Sequence, residues 1–245
     1  MDTKVALVTG STSGIGLATA RRLSADGYAV VLHSRSSENE GLKRAAELPQ
    51  ASYQRADLSR FAEIPLLIER ILSDYGRLDV LINNAAMTRV VPHSHLRQAD
   101  AELWRTMHDI NVIAPWLLIT EAEDALRAAG EDGTPGCVVN ISSHAGVRPK
   151  GASIPYAVSK ASLNHMTKLL AASLSPEIRF NAVAPGLVDT PMSEAWHDAR
   201  ELWQSRAPMK RQACPEDIAQ IVSSLVASSY LTGEVVLADG GMNLT

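Results

Sequence analysis

Cysteine is nearly absent: Cys137 and Cys214 are the only two in 245 residues, and neither sits at metal-ligand spacing from another thiol. That excludes a disulfide-stapled scaffold and favours two reduced thiols in a cytoplasmic protein. Long apolar runs are missing as well. None approaches the ~20 residues a spanning helix requires, so no membrane partner is expected. The opening Met1-Asp2-Thr3-Lys4 enters a short apolar stretch with too little basic charge ahead of it for a secretory signal. Lys and Arg number 23 against 27 Asp and Glu, a net −4 with no dense basic cluster. Such a balance gives little attraction for nucleic acid or anionic lipid. His93 and His95 form a short H-x-H without a third ligand, so no metal is expected. There are no repeats and no low-complexity tract. What is left is an ordinary globular composition, 46% hydrophobic and 20% charged, whose expected partner is a small molecule.

The apolar residues fall in short Val-, Ile-, Leu- and Ala-rich runs between longer stretches of helical spacing, the alternation expected of a parallel sheet covered on both faces. Strands are predicted at Val5 to Thr9, Ala29 to His33, Ser52 to Arg55, Val80 to Asn83, Gly136 to Ile141, Arg179 to Ala184 and Glu234 to Ala238. Ile15 to Asp26 and Ile64 to Tyr75 are predicted helices. Gly130 to Gly136 reads as a loop too short to divide the chain, so residues 1–245 form one doubly wound α/β domain.

The first predicted strand runs into Thr9-Gly10-Ser11-Thr12-Ser13-Gly14-Ile15-Gly16, and a helical pattern follows at once. Glycines at 10, 14 and 16 let the backbone turn sharply and approach a pyrophosphate, which the N–H groups and dipole of the helix start attract. NAD-binding folds carry an acidic side chain at the end of the second strand for the ribose 2′-OH. Here the chain reads His33-Ser34-Arg35-Ser36 instead. A guanidinium flanked by hydroxyls suits a 2′-phosphate, so NADP(H) is favoured over NAD(H).

Tyr156 and Lys160 stand four apart in Tyr-Ala-Val-Ser-Lys, on one face if the segment is helical, and Pro155 suits its first turn. A phenol titrating near pH ~10 exchanges protons at neutrality only if a nearby positive charge favours its anion. Ser142 and Ser143 follow the fifth predicted strand, at the strand ends where ligands gather in such sheets.

With these motifs in order, the chain resembles the short-chain dehydrogenase/reductases, over nearly everything from Lys4 to Gly241. The matching residues are Thr9 to Gly16, Asp57-Leu58, Asn83-Asn84-Ala85, Asn111, Ile141-Ser142-Ser143, Tyr156 to Lys160, Pro185-Gly186 with Thr190, and Asp239-Gly240-Gly241. The resemblance implies a Rossmann-like, seven-stranded domain, with a cofactor half over about 1–135 and a catalytic and substrate half over about 136–245. It also implies a tetrad of Asn111, Ser143, Tyr156 and Lys160. Ser143 is preferred to Ser142 by its thirteen-residue distance from the tyrosine. Tyr156 would protonate a carbonyl oxygen as hydride arrives and Ser143 would polarise it. Lys160 would hold the nicotinamide ribose and lower the tyrosine pKa, and Asn111 would help hold a relay water.

By the same resemblance the cofactor would lie against Gly10, Ser11, Ser13, Gly14, Ile15, Gly16, Ser34, Arg35, Ser36, Asp57, Leu58, Asn84, Ala85, Tyr156, Lys160, Pro185, Gly186, Val188 and Thr190. Ala86 departs from the family's usual glycine and narrows the backbone options there. His144, Val147, Met192 and Trp196 are the further candidates for the substrate pocket beside Ser143. Residues 187–212, with Met192, Trp196, Trp203 and Met209, read equally as a mobile lid or as packed helices. The implied activity is reduction of a ketone or 3-oxoacyl thioester in a homotetramer. An NAD-dependent alcohol or sugar dehydrogenase and a non-catalytic dinucleotide sensor are the alternatives, and the intact tetrad argues against the sensor.

Overall fold

The computed structural model describes residues 3–130 and 133–245. Seven strands form one sheet: β1 (Val5–Val8), β2 (Ala29–Ser34), β3 (Ala51–Arg55), β4 (Val80–Asn83), β5 (Gly136–Ile141), β6 (Ile178–Pro185) and β7 (Val235–Ala238). Every predicted strand is present with its ends within one residue. The spatial order is β3-β2-β1-β4-β5-β6-β7 and every neighbouring pair is parallel. Glu131 and Asp132, in the predicted loop ahead of β5, lie outside the described residues.

Strand alternation divides the apolar residues between two layers. Val5 and Leu7, Val31, Leu81, Val138 and Phe180 face one side, where they pack with Leu67 and Ile71 of helix α3 (Glu63–Tyr75) and Leu118 of α5 (Ala114–Ala129). Ala6 and Val8, Leu32, Ile82, Val139 and Val183 face the other, against Leu17 and Leu23 of α1 (Gly14–Ala25) and Val222 of α8 (Pro215–Ala227). Burial on both faces is what makes these strands read as continuous apolar runs. Helices α2 (Glu38–Ala46), α4 (Ala101–His108), α6 (Ile154–Leu174) and α7 (His197–Arg206) complete the set, with a π-helical turn at Asp109–Ile113 joining α4 to α5. No described helix is long and apolar enough to cross a membrane.

The sheet order reverses at β1, whose neighbours are β2 and β4. Chain leaving the carboxyl ends of β1 and β4 therefore separates to opposite sides and opens a crevice. The glycine-rich turn follows β1, Asn84 and Ala85 follow β4, Ser143 follows β5 and Gly186 follows β6, so topology alone brings these distant segments to one edge.

Candidate active site

The glycine-rich turn is gripped from the β4 side. The Asn84 amide donates to the carbonyls of Thr9 and Gly10 at 2.8 and 3.0 Å, while Asn84 and Ala85 donate their N–H groups to Thr9 Oγ1. A Cβ on Gly16 would overlap both the Gly10 carbonyl oxygen and that amide, so the helix starts hard against the turn only because residue 16 is glycine. Ser13 is the N-cap of α1 yet its side chain makes no capping bond. The first N–H groups of α1 thus face the crevice without a side-chain acceptor, a cradle that fits a pyrophosphate.

Two predicted cofactor contacts are corrected. Ser11 is fully buried: its hydroxyl accepts the His33 N–H at 2.9 Å and its N–H donates to the His33 carbonyl, extending the β1–β2 pairing. Ser34 is committed likewise, its hydroxyl meeting Tyr53 Oη at 2.8 Å and accepting from the Ser37 N–H. Both hydroxyls are thus buried in the packing of β2. Arg35 and Ser36, the first residues beyond β2, are exposed. Asp57 follows β3, and its carboxylate is held below its usual range by Ser59, with help from Arg35 and Arg60. Leu58 is buried beside it. Pro185 ends β6, Gly186 donates to the Ala238 carbonyl, and Val188 bridges to Ala213. A Cβ on Gly14 would stand 3.2 Å from the Thr190 methyl, so the loop after β6 closes over the glycine-rich turn. Ala86 has no positive φ, which Gln50 and Lys210 alone show among described non-glycine residues, and its methyl strains nothing.

Tyr156 lies in the first turn of α6, where the Ser153 hydroxyl accepts its N–H at 3.4 Å. The two serines after β5 separate cleanly. The Ser142 hydroxyl is buried and donates to the Lys160 carbonyl at 3.3 Å, whereas Ser143 is partly exposed, its hydroxyl accepts the Ala145 N–H at 3.2 Å, and it is near enough to Tyr156 to pull the phenol's pKa down. Lys160 is buried and its Nζ donates to the Ile141 carbonyl at 2.8 Å, 5.9 Å from the Tyr156 ring centre. Burial drops its pKa to about 8. The tyrosine behaves contrary to expectation: burial raises its pKa, and the opposing influence is the Ser143 hydroxyl rather than Lys160. The ammonium is turned toward a backbone carbonyl, and desolvation of a phenolate outweighs its field.

Asn111, inside the π-helical turn, is also reassigned. Its side chain accepts the Met87 N–H at 2.8 Å and donates to the Met87 carbonyl and Ser159 Oγ, both at 3.0 Å. Ser159 in turn donates to the Tyr156 carbonyl at 2.8 Å. The amide is therefore a strut joining the β4 loop to the tyrosine's helix. Both amide hydrogens are committed and the side chain is fully buried, and Ser159, which the motifs did not single out, is recognisable only as a residue one turn after Tyr156.

On the substrate side Val147 and Met192 are exposed and Trp196 is half-buried. His144 is a correction: it is buried, with Nε2 3.5 Å from Asp239 and its ring edge-on to Trp203 at 5.9 Å. Buried there, it presents little surface to a substrate. Helix α7 has no buried residue. Its described attachments are the Trp203 indole, which lies on His144 and over Gly186, and an ion pair from Arg200 to exposed Asp189 at 3.3 Å. Trp203→Ala is expected to speed proteolysis within residues 187–212 by ~10-fold with little change in Tm, as a weakly attached element opens independently of the core; unchanged cleavage in a digestion time course counts against that attachment.

The family model described as Enoyl-(Acyl carrier protein) reductase matches residues 10–243. The chain is 46% identical, over 99% of its length and 97% of the relative's, to "Granaticin polyketide synthase putative ketoacyl reductase 2" of Streptomyces violaceoruber. It is 35% identical to a 3-oxoacyl-(acyl-carrier-protein) reductase of Thermotoga maritima, with 99% and 98% covered. A solved neighbour, a single-site variant of the actinorhodin polyketide ketoreductase with NADPH, superposes with a TM-score of 0.87 at 30% identity over all of both chains. This chain belongs to the short-chain dehydrogenase/reductase family. It is accordingly an oxidoreductase of the nicotinamide-dinucleotide class.

Proposed function

We propose that the chain reduces the ketone of a 3-oxoacyl thioester to a secondary alcohol with NADPH. The observation that carries this reading is that two hydroxyls, those of Ser143 after β5 and Tyr156 in the first turn of α6, converge beside buried Lys160 at the edge of the dinucleotide crevice. A carbonyl oxygen placed between them receives one hydrogen bond from each, favouring the charge that develops on oxygen. The bound dinucleotide supplies the hydride to the carbonyl carbon. Tyr156 gives its phenolic proton to the oxygen, Lys160 keeps positive charge beside the phenolate left behind, and solvent returns the proton. Because the Asn111 amide is engaged, its backbone carbonyl is the group for a relay water. The residue four positions on is Pro115, which has no N–H to offer that carbonyl.

Gly10, Ser13, Gly14, Ile15 and Gly16 would take the pyrophosphate, Asp57, Leu58, Asn84 and Ala85 the adenosine half, and Pro185, Gly186, Val188 and Thr190 the nicotinamide. Arg35 and Ser36 favour the 2′-phosphate, since no carboxylate stands at the end of β2. The test is loss of reduced-nicotinamide absorbance with 3-oxoacyl thioesters and simple ketones. NADPH should support turnover far better than NADH, and Arg35→Leu should erase most of that preference by weakening NADPH by ~10-fold or more. Equal losses with both cofactors contradict the assignment.

The cationic form of Lys160 is the useful one, and it is lost as pH rises through about 8. In the free enzyme kcat/KM for the cofactor is therefore expected to decline above that pH. A profile flat to pH 10 would remove Lys160 from its role. Assembly as a homotetramer is part of the same reading. The outer faces of α5 and α6 leave an apolar groove of about 800 Å³ where Trp116 and Leu169 are exposed, a surface suited to a second copy.

A further inference from the structure

His33 lies in β2 between the two loops that receive a dinucleotide, and it is 2% exposed. Its backbone pairs on both sides with Ser11. Its ring spans further. Nδ1 accepts the Gly10 N–H at 3.2 Å, and Nε2 stands 2.9 Å from the Ala56 carbonyl oxygen. A backbone N–H can only donate and a carbonyl can only accept, so one tautomer, with the proton on Nε2, satisfies both. Gly10 has φ +63°, and its carbonyl is held from the opposite side by Asn84. The Thr9–Gly10 peptide group that starts the pyrophosphate turn is thus gripped at its N–H by His33 and at its oxygen by Asn84, which also holds the next carbonyl. Ala56 immediately precedes Asp57 on the adenosine side.

We propose that His33 is a positioning residue of the cofactor site, its imidazole clamping the pyrophosphate turn to the adenosine-side loop at a fixed separation. The assignment rests on the dinucleotide reading above. Burial holds the ring's pKa at about 4 against the opposing pull of the Ala56 carbonyl and, after it, Asp57, so the clamp persists across the working pH range. A proton on Nδ1 would set two donors, the ring and the Gly10 N–H, against each other. The two grips differ in what they discriminate. Arg35 can sense only the 2′-phosphate, whereas a clamp between the loops bears on parts common to both cofactors.

Direct titration of NADPH and NADH, with wild type, His33→Leu and His33→Asn, tests this. His33→Leu should weaken both cofactors by the same factor, ~10-fold or more for two lost buried hydrogen bonds. His33→Asn, whose Oδ1 can replace Nδ1 toward Gly10, should recover much of the loss, which a merely space-filling role would not reproduce. Wild-type affinity in His33→Leu, or a loss confined to NADPH, overturns the proposal. Should these variants fold poorly, ¹⁵N NMR of the wild-type histidines decides: the clamp requires the Nε2–H tautomer, still neutral at pH 5. An Nδ1–H tautomer, or a ring protonated at pH 6, overturns it. A wild type that binds neither dinucleotide defeats the cofactor reading instead, and is separable because the tautomer is read without cofactor.

Discussion

Tyr156→Phe is expected to lower kcat for ketone reduction by ~10²–10⁴-fold, the span that a positioned general acid contributes. The ring's packing is kept, because Tyr156 lies against the apolar cluster of Val91, Leu103 and Met107. Only the hydroxyl is removed. Cofactor affinity should therefore change little, and the loss should appear in the chemical step. A variant within a few-fold of wild type would mean that another group delivers the proton. Lys160 is directed to the Ile141 carbonyl and the Ser142 hydroxyl to that of Lys160, so such a result would turn attention to Ser143.

Gly16→Val should be the most damaging change outside the tetrad. Its side chain would occupy the space now filled by the Gly10 carbonyl and the Asn84 amide, both backed by the β1 and β4 ends. Backbone cannot yield as the tip of a flexible side chain does, so the turn itself must move, at a cost of ~1–3 kcal/mol in stability. Binding should suffer more, by ~100-fold, because the displaced N–H groups are those that meet the pyrophosphate. Gly27→Val is the control: a Cβ there meets nothing within 4 Å, although its φ of +94° still strains the fold. It should lower Tm while sparing cofactor binding. If both variants bind NADPH equally well, the turn is not the pyrophosphate site.

The sheet and the order of motifs along it were legible because both depend on local pattern. Buried parallel strands declare themselves as apolar runs, and the Gly10, Gly14 and Gly16 spacing states a backbone requirement directly. What escaped was the use of each polar group. Ser11 and Ser34 look like phosphate donors in the string, yet both hydroxyls complete the packing of β2. His144 looks like a pocket residue beside Ser143 and is buried against Asp239 and Trp203. His33 reads as one more residue of a strand, and its two ring contacts lie 23 positions away on either side. Long-range hydrogen bonds of this kind leave no periodic trace, so a motif can nominate a side chain without saying which way its polar atoms turn. Asn111 shows the same limit from the opposite direction: its position was apparent, and its role as a strut emerged only with Met87 and Ser159 around it.

Following the transferred hydrogen tests carbonyl reduction most directly. A 3-oxoacyl thioester incubated with NADPH deuterated at the transferable nicotinamide position should yield a 3-hydroxyacyl thioester with one deuterium on the carbinol carbon, and Tyr156→Phe should form almost none. Tight NADPH binding with no labelled alcohol from any thioester or ketone would contradict the assignment of this chain as a carbonyl reductase.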